Sequence, residues 1–369
     1  MAEPLKELIS RTAVRRLGRE LEAHRPFPRQ RFVRAAARGL EEKELKDRVL
    51  HVTAALRKAL DERFSAAADH IVGSLPPPLP STDELTSQFL YWPYCTFFEL
   101  YGDDPNDFDT SMQALHQLTQ RFSAEFAIRP FLLREPERTF AVLDEWSRDP
   151  SPHVRRLCSE GSRPYLPWGR RLGFLIDDPS PTLPLLRRLV SDESLYVRRS
   201  VANHVNDLAR HAPELALELT HDWWQSGTDE QRWVVRHALR SLVKKGDARA
   251  LEILGYGPVK VSASLSARPE TVAIGESIAL HLEVKSRAKR AQPLLVDYAV
   301  HFVKADGSAR PKVFKWKQIE LTPGASLSLQ KKHSFRQVST RRHYPGTHRI
   351  EVQINGRTAA ATEVVVEGN

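Results

Sequence analysis

One glutamate stands at the edge of an apolar helix face, where a carboxylate needs a partner. The apolar residues of that face are Leu115, Leu118, Phe122 and Phe126. On a continuous helix, Glu125 would lie only about 20° outside this stripe. A partly buried carboxylate must either pair with a cation or shift its pKa upward. Pairing with Arg121 or Arg129, each four residues away, is one interpretation, and a functional acid is the other.

Further acids and arginines recur on segments that resemble one another. The segments are anchored by Val154, Val197 and Val235, which are 43 and then 38 residues apart. This spacing is close to the period of HEAT or armadillo helix pairs, which is roughly 40–47 residues. Partner helices are predicted between the anchors, at 183–190 and 213–224. The pattern predicts a short α-solenoid.

The repeat helices each separate an apolar stripe from a polar stripe when read at about 100° per residue. The polar stripes hold Arg156, Glu160 and Arg163 in one helix and Arg199, Asn203, Asp207 and Arg210 in the next. Arg156 and Arg199 occupy equivalent positions, as do Glu160 and Asn203. Stacked repeats would align them as one surface of arginines with carboxylates or amides. A solvated face with local ion pairs is the simpler interpretation, and a binding surface is the alternative.

Arginine replaces lysine over half of the chain. Residues 59–243 contain 19 arginines and no lysine. The planar guanidinium fork suits phosphate and carboxylate, although genomic base composition explains the same count. No lysine in this range could form a Schiff base with a sugar or carbonyl substrate.

Aromatic residues form a dense cluster at 89–101, and a single tryptophan, Trp168, lies apart from it. Seven aromatic rings lie between Phe89 and Tyr101, and we expect most of them in the core. Trp168 follows Leu166 and Pro167 in a turn-forming context. A helix end is predicted there, from which the indole could project into a groove.

The elements that must position these residues fall into three predicted regions. Residues 1–75 form a helical segment that packs on the solenoid, and the proline-rich stretch 75–80 forms a stiff linker. Residues 81–255 form the HEAT-like repeats. Residues 259–369 alternate apolar and polar residues, which predicts an all-β immunoglobulin-like sandwich. The alternating segments are 259–265, 277–284, 326–329 and 348–354, with turns at Pro323-Gly324 and Asn355-Gly356.

The net charge of +9 is located in the last third of the chain. Residues 1–255 contain 37 basic and 37 acidic side chains, and residues 256–369 contain 18 and 9. Basic residues gather in predicted loops, at Lys289 and Arg290 and again at Arg341 and Arg342. Loops of this kind often only improve solubility, but the surplus in one small domain favours contact with the phosphates of a polyanion.

The remaining composition narrows the class of protein. Two cysteines exclude a disulfide framework and argue against a zinc cluster, and they favour a reducing compartment. The N-terminal residues lack an apolar signal core, and no apolar run is long enough to span a bilayer. We expect a cytoplasmic protein without cofactor or metal, and a monomer by default.

Four motifs together resemble one known family. They are Phe89–Pro93, Ser123–Phe131, Cys158–Trp168 and Val197–Asp207. In order and spacing they are similar to the AlkC branch of the bacterial HEAT-like-repeat alkylpurine DNA glycosylases. The resemblance covers essentially the whole chain, since one subgroup of this branch carries a C-terminal immunoglobulin-like domain.

The resemblance implies a monofunctional enzyme that excises cationic bases, chiefly 3-methyladenine and 3-methylcytosine, from duplex DNA without full base flipping. It implies that Glu125 and Asp207 are the carboxylates at the lesion and that Glu160 is a supporting acid. Trp168 would lie beside the damaged nucleotide. The DNA contacts expected from the helical part are Arg156, Arg163, Arg199 and Asn203. A nucleoid-associated bacterial location would follow.

The implied chemistry agrees with the residue types. Methylation at N3 makes the base a cation and therefore a good leaving group, so the enzyme must mainly stabilise an oxocarbenium-like sugar and position water. Trp168 would add a cation–π attraction of roughly 0.5–2 kcal/mol. The alternative function is a non-catalytic HEAT-repeat scaffold that binds DNA or a protein, because fold alone does not establish chemistry.

Overall fold

A computed structural model describes residues 5–82, 85–102, 104–225, 227–338 and 341–368. Helices occupy the first two thirds of the chain and strands the last third, as the sequence predicts. The α-helices within the described residues are α1 (Arg11–His24), α2 (Arg29–Ala37), α3 (Leu45–Arg57), α4 (Phe64–Gly73), α5 (Trp92–Tyr101), α6 (Phe108–Thr119), α7 (Arg129–Arg134), α8 (Pro136–Trp146), α9 (Pro152–Gly161), α10 (Phe174–Asp177), α11 (Leu183–Leu189), α12 (Leu195–Leu208), α13 (Pro213–Gln225), α14 (Asp229–Ala238), α15 (Arg240–Lys244) and α16 (Ala248–Ile253).

The strands form two sheets. They are β1 (Val261–Arg268), β2 (Thr271–Ala273), β3 (Ser277–Ser286), β4 (Gln292–Val303), β5 (Ala309–Leu321), β6 (Ser326–Ser334), β7 (Gly346–Ile354) and β8 (Arg357–Glu367). One sheet has the order β1-β3-β6, and the other has the order β2-β8-β7-β4-β5. Every pairing is antiparallel except that of β2 with β8. Side chains of both sheets share one core, for example Leu280 with Val300 and Val352.

The chain divides into two compact units. The first holds the residues up to Ala216 together with Gly227–Ala238. The second holds a segment that begins at Leu217 and the chain from Leu239 onward. The boundaries at 75, 81, 255 and 259 that the sequence suggests stay a prediction.

The helices that carry the repeat anchors lie where the sequence predicts them. Val154, Val197 and Val235 lie on α9, α12 and α14 and are fully buried. Helix α12 packs against both α9 and α14. The predicted partner helices correspond to α11 and α13. The stretch 75–80 contains neither helix nor strand.

The helix predicted to continue through Glu125 ends earlier, so that prediction is wrong. Helix α6 stops at Thr119, and a turn follows in which the N–H groups of Arg121 and Phe122 both bond to the carbonyl of Leu118. The Thr119 hydroxyl then accepts the N–H of Ala124. Side-chain oxygens compete in this way with helical bonding and favour turns. Glu125 therefore lies in an irregular segment between α6 and α7.

The β domain contains more strands than alternation revealed. The four predicted strands correspond to β1, β3, β6 and β7, whereas β2, β4, β5 and β8 were missed. The two predicted turns are present. Asn355 and Gly356 have φ values of 47° and 75°, as a tight hairpin between β7 and β8 requires. Within the described residues, no helix is long and apolar enough to cross a membrane.

Candidate active site

Glu125 pairs with an arginine from another helix. Its carboxylate accepts hydrogen bonds from Arg156 Nη1 at 2.7 Å and from the Ser123 hydroxyl at 2.8 Å. Arg156 also donates to the Ser123 hydroxyl at 2.9 Å. The expected pairing with Arg121 or Arg129 is wrong, because both guanidinium groups donate to backbone carbonyls instead. The turn after α6 aims Glu125 towards α9 rather than along its own segment.

The Glu125–Arg156 pair begins a series of alternating carboxylate and guanidinium groups. Arg156 Nη2 lies 3.7 Å from Glu160 Oε1, one turn further along α9. Arg163 donates to the same Glu160 oxygen at 2.6 Å and to Asp207 Oδ2 at 2.9 Å. Three carboxylates thus alternate with two guanidinium groups. The interpretation as a solvated face is wrong for these residues, since the exposed fractions of their side chains are 16% or less.

The arginines keep the most central acid ionised. Burial favours the neutral form of Glu160, but Arg156 and Arg163 outweigh this effect and hold its pKa below the usual value. The carboxylates raise the pKa of both arginines against the opposing effect of burial. The buried Arg129 guanidinium also interacts electrostatically with all three carboxylates, so this cluster contains three acids and three bases.

This series of charged side chains forms one wall of a pocket of about 350 Å³. Aromatic side chains form another wall, where Trp92 stacks on Phe126 with ring centroids 5.4 Å apart. The lining residues are Phe89, Trp92, Phe122, Ser123, Glu125, Phe126, Arg156, Glu160, Arg163, Leu166, Pro167 and Trp168. Asp207 does not line the pocket and lies behind Arg163. A cavity that combines the Glu125 carboxylate with aromatic faces is suited to a cationic ligand.

Trp168 projects from the rim of this pocket. The residue lies in a turn and is 60% exposed, but α9 ends seven residues earlier at Gly161, so the predicted helix end at Trp168 is wrong. Its φ of 67° belongs to the left-handed region, which is uncommon for a bulky residue. The Trp168 carbonyl accepts a hydrogen bond of 2.7 Å from Lys46 on α3. A lysine from outside the range 59–243 thus reaches the segment that carries the indole.

Arg129 supports the same segment, a role that sequence reasoning missed. The residue is fully buried and donates to the carbonyls of Gly161, Arg163 and Arg170, at 2.7, 2.9 and 2.6 Å. Burial and the nearby Arg163 lower its pKa to about 10. The three carbonyls bracket Trp168 in the chain. The only sequence signal for this role is a basic residue, Arg129, among apolar neighbours. Helical spacing predicts Glu125 as its partner, so the signal does not reveal the three carbonyls.

The other predicted DNA contacts of the helical part lie outside the pocket lining. Arg199 is exposed, and half-buried Asn203 lies 3.3 Å from His237. Arg156 and Arg163 face the pocket, but their guanidinium groups are already bonded to carboxylates. The DNA contacts of all four residues stay predictions.

The basic residues of the sandwich divide into two kinds. Lys289 and Arg290 lie exposed in the loop between β3 and β4. Arg342 is also exposed, whereas the guanidinium of Arg341 lies 4.4 Å from the ring centre of Phe302. Within the basic cluster 339–349, Ser339 and Thr340 lie outside the described residues. Phosphate contacts by these four side chains stay predictions.

In the part of the chain that the structure describes, no three His, Cys, Asp or Glu side chains gather as a metal site would require. The pocket offers instead one carboxylate near its opening, a buried acid behind it and an exposed indole. This arrangement can bind a flat cation and stabilise positive charge that develops beside it.

Comparisons with known proteins agree with this arrangement. Residues 261–368 match the family model described as the C-terminal Ig-like domain of the uncharacterised protein YhaZ. An uncharacterised protein of this name from Bacillus subtilis strain 168 is 36% identical over 357 residues, which cover 95% of this chain and 96% of the relative. The helical region is therefore followed by an immunoglobulin-like domain.

A solved structure extends the similarity to a named family. The Pseudomonas fluorescens alkylpurine DNA glycosylase AlkC, bound to DNA that contains an abasic site analog, superposes with a TM-score of 0.89 at 36% identity. The match covers 99% of this chain and 100% of the other. The chain belongs to the AlkC family of DNA glycosylases, in the form with a C-terminal Ig-like domain.

Proposed function

We propose that the protein is a monofunctional DNA glycosylase that hydrolyses the N-glycosidic bond of cationic alkylated bases in duplex DNA. The favoured substrates are 3-methyladenine and 3-methylcytosine, excised without full base flipping. The proposal is supported by family membership and by the pocket that combines carboxylates with aromatic rings. The single observation that carries it is the presence of the Glu125 carboxylate and the exposed Trp168 indole in one pocket.

The positive charge on the damaged base determines whether the enzyme must protonate the leaving group. A base methylated at N3 carries the charge that protonation would otherwise have to supply, so it leaves as a neutral molecule. The sugar then becomes oxocarbenium-like and attracts a nearby carboxylate. Among these three acids, Glu125 has the most exposed side chain. Its exposed fraction is 16%, against 7% for Glu160 and 2% for Asp207. It is therefore the carboxylate that we assign to the sugar and to the attacking water.

The other acids act through the arginines. Glu160 holds Arg156 and Arg163 together, and Asp207 fixes Arg163 from behind. These contacts hold Arg156 in place, and Arg156 orients Glu125, without leaving buried charges unpaired. Trp168 presents an indole face to the cationic base. A neutral adduct would lack the cation–π attraction to the indole, and it would be a poorer leaving group. Both effects make the enzyme selective for cationic bases.

The remaining parts of the proposal concern architecture and partners. The helical repeats at 81–255 act as a HEAT-like solenoid that carries the chemistry, after an N-terminal segment at 1–75. The sandwich at 259–369 contacts the DNA backbone through Lys289, Arg290, Arg341 and Arg342. The protein acts as a cytoplasmic, nucleoid-associated monomer without a cofactor.

A base-release assay tests this function. Duplex DNA that contains 3-methyladenine, 3-methylcytosine and, as a control, the uncharged adduct O6-methylguanine should be incubated with an excess of protein, and released bases should be quantified. We expect release of the first two and a large loss of it in Trp168→Ala. Binding without release of any base would identify the alternative, a DNA-binding scaffold, and would refute the proposed activity.

A further inference from the structure

A second groove lies between the first two helices, apart from the residues that line the catalytic pocket. Its volume is about 470 Å³. The lining residues are Arg15, Arg19, Arg29, Gln30, Val33 and Arg34. Four of the six are arginines, and both acidic residue types are absent from the lining. The groove is therefore strongly cationic, although residues 1–255 are neutral in sum.

The sequence builds this groove by placing a glycine between two arginines. Arg15 and Arg19 are four residues apart on α1 and lie on the same helix face. A Cβ added to Gly18 would lie 3.1 Å from both the Arg29 and Val33 side chains. The absence of that Cβ lets α2 pack closely against α1. The arginines of the two helices consequently converge.

Most of these guanidinium groups form no ion pair with the residues that the structure describes. Arg29 forms an ion pair with Glu22 at 2.7 Å. The side chains of Arg15, Arg19 and Arg34 are exposed and form no ion pair or hydrogen bond with the described residues. Three uncompensated cations repel one another, and an external anion relieves that repulsion. Guanidinium forks match the oxygen geometry of phosphate.

We propose that the groove between α1 and α2 binds the sugar-phosphate backbone of the DNA that the enzyme repairs. This inference rests on the proposed function, because it takes duplex DNA as the partner. The arginines are exposed and lack the fixed orientation that reading bases would require. The groove therefore contributes affinity and salt dependence, independent of the lesion and of the sequence around it.

The test compares two triple variants of the full-length protein. The first is Arg15→Ala/Arg19→Ala/Arg34→Ala. The control removes three exposed arginines of the same segment that do not line the groove, namely Arg25, Arg31 and Arg38, each replaced by alanine. The dissociation constant for an undamaged duplex should be measured over a range of salt concentrations. Circular dichroism checks that both variants are folded.

The groove variant should show a salt slope smaller in magnitude by about 2.7, since each lost phosphate contact removes about 0.9. The control should keep a slope close to that of the wild type. An unchanged slope in the groove variant, or equal changes in both variants, would overturn the inference. It would also be overturned if poly-glutamate bound through the groove while the DNA slope stayed the same.

Base release separates this inference from the proposed function. At saturating protein the groove variant should release base at the wild-type rate, because only binding is altered. If the wild-type protein releases base and the groove variant keeps the full slope, the groove assignment fails alone. If the wild-type protein releases no base but the slope falls in the groove variant, the proposed activity fails and the groove assignment stands.

Discussion

The Arg156 guanidinium on α9 donates a 2.7 Å hydrogen bond to the Glu125 carboxylate, which lies 31 residues earlier in the turn before α7. The partner of this acid thus comes from helix α9 and not from the segment that carries Glu125. Any change to either side chain alters how the acid faces the pocket.

Glu125→Gln should lower base release by about 100-fold, because a neutral amide cannot stabilise an oxocarbenium-like sugar and this loss corresponds to about 2.7 kcal/mol. Single-turnover release of 3-methyladenine measures the effect. Glu137→Gln, at an exposed position on α8, serves as the control and should behave as the wild type. A Glu125→Gln enzyme with the wild-type rate would remove Glu125 from the chemistry.

Asp207→Leu should destabilise the helical unit by about 3 kcal/mol, since the buried Arg163 would lose one of its two carboxylate partners and keep only Glu160. Denaturant unfolding monitored by circular dichroism gives this value. Arg163→Met combined with Asp207→Leu should recover part of the loss, because neither charge is then left alone. Additive losses in the double variant would show that the two side chains do not interact.

Arg129→Lys should loosen the segment that carries Trp168, because one ammonium group cannot replace a fork that binds three carbonyls. Amide hydrogen exchange across 161–172 should become faster, while exchange in the distant helix α1 stays the same. Base release should fall in parallel. Unchanged protection of 161–172 would mean that other contacts hold this segment.

Reduction with borohydride during turnover should trap no covalent complex between protein and DNA. A monofunctional enzyme uses water and not an amine at the sugar. Lys46 is the informative position, since its ammonium group is hydrogen-bonded to the Trp168 carbonyl. A trapped complex that disappears in Lys46→Met would show that this lysine attacks the sugar and that the enzyme is bifunctional.

The sandwich should lose stability as the pH falls below about 6.5. Burial, together with Arg341, His343 and His348, lowers the pKa of His333 to about 4 from an ordinary value of 6.5. The unfolded chain therefore binds more protons between these values, so stability falls through this range and is regained above it. The protonation of His333 alone should make the free energy of unfolding about 2 kcal/mol lower at pH 5 than at pH 7.5.

Hydrogen exchange of β4 and β7 at the two pH values measures this change. His333→Phe should reduce the difference between them, because a phenyl ring takes up no proton. His281→Phe, at a half-buried position on β3, should leave it as in the wild type. Equal pH dependence in all three proteins would show that His333 does not titrate as described.

Periodicity predicted the elements that have one buried face and missed those that do not. Strand β3 alternates and was found, whereas β4 is almost continuously apolar, with Leu294, Leu295, Val296, Tyr298, Ala299 and Val300 all buried. Such a run carries no two-residue period. The helices α9, α12 and α14 were predictable because Val154, Val197 and Val235 lie in sequence segments that resemble one another.

The candidate site was predictable in its residues but not in its connections. The family motifs pointed to Glu125, Glu160 and Trp168, which line one pocket, and also to Asp207, which does not line it. The partner of Glu125 could not be predicted, because the end of α6 depends on local bonds from Thr119 rather than on hydrophobic spacing. The support from Arg129 depends on carbonyls more than 30 residues away, and helix periodicity carries no information about them.

The left-handed backbone at Trp168 sets stability against the role that we propose for its indole. A tryptophan at φ 67° costs of order 1–3 kcal/mol, which a glycine at the same place would avoid. Screening a library of variants for heat resistance alone would therefore enrich glycine at this position and discard the indole. An engineer who wants a more durable repair enzyme should keep this residue fixed and look for gains elsewhere in the chain.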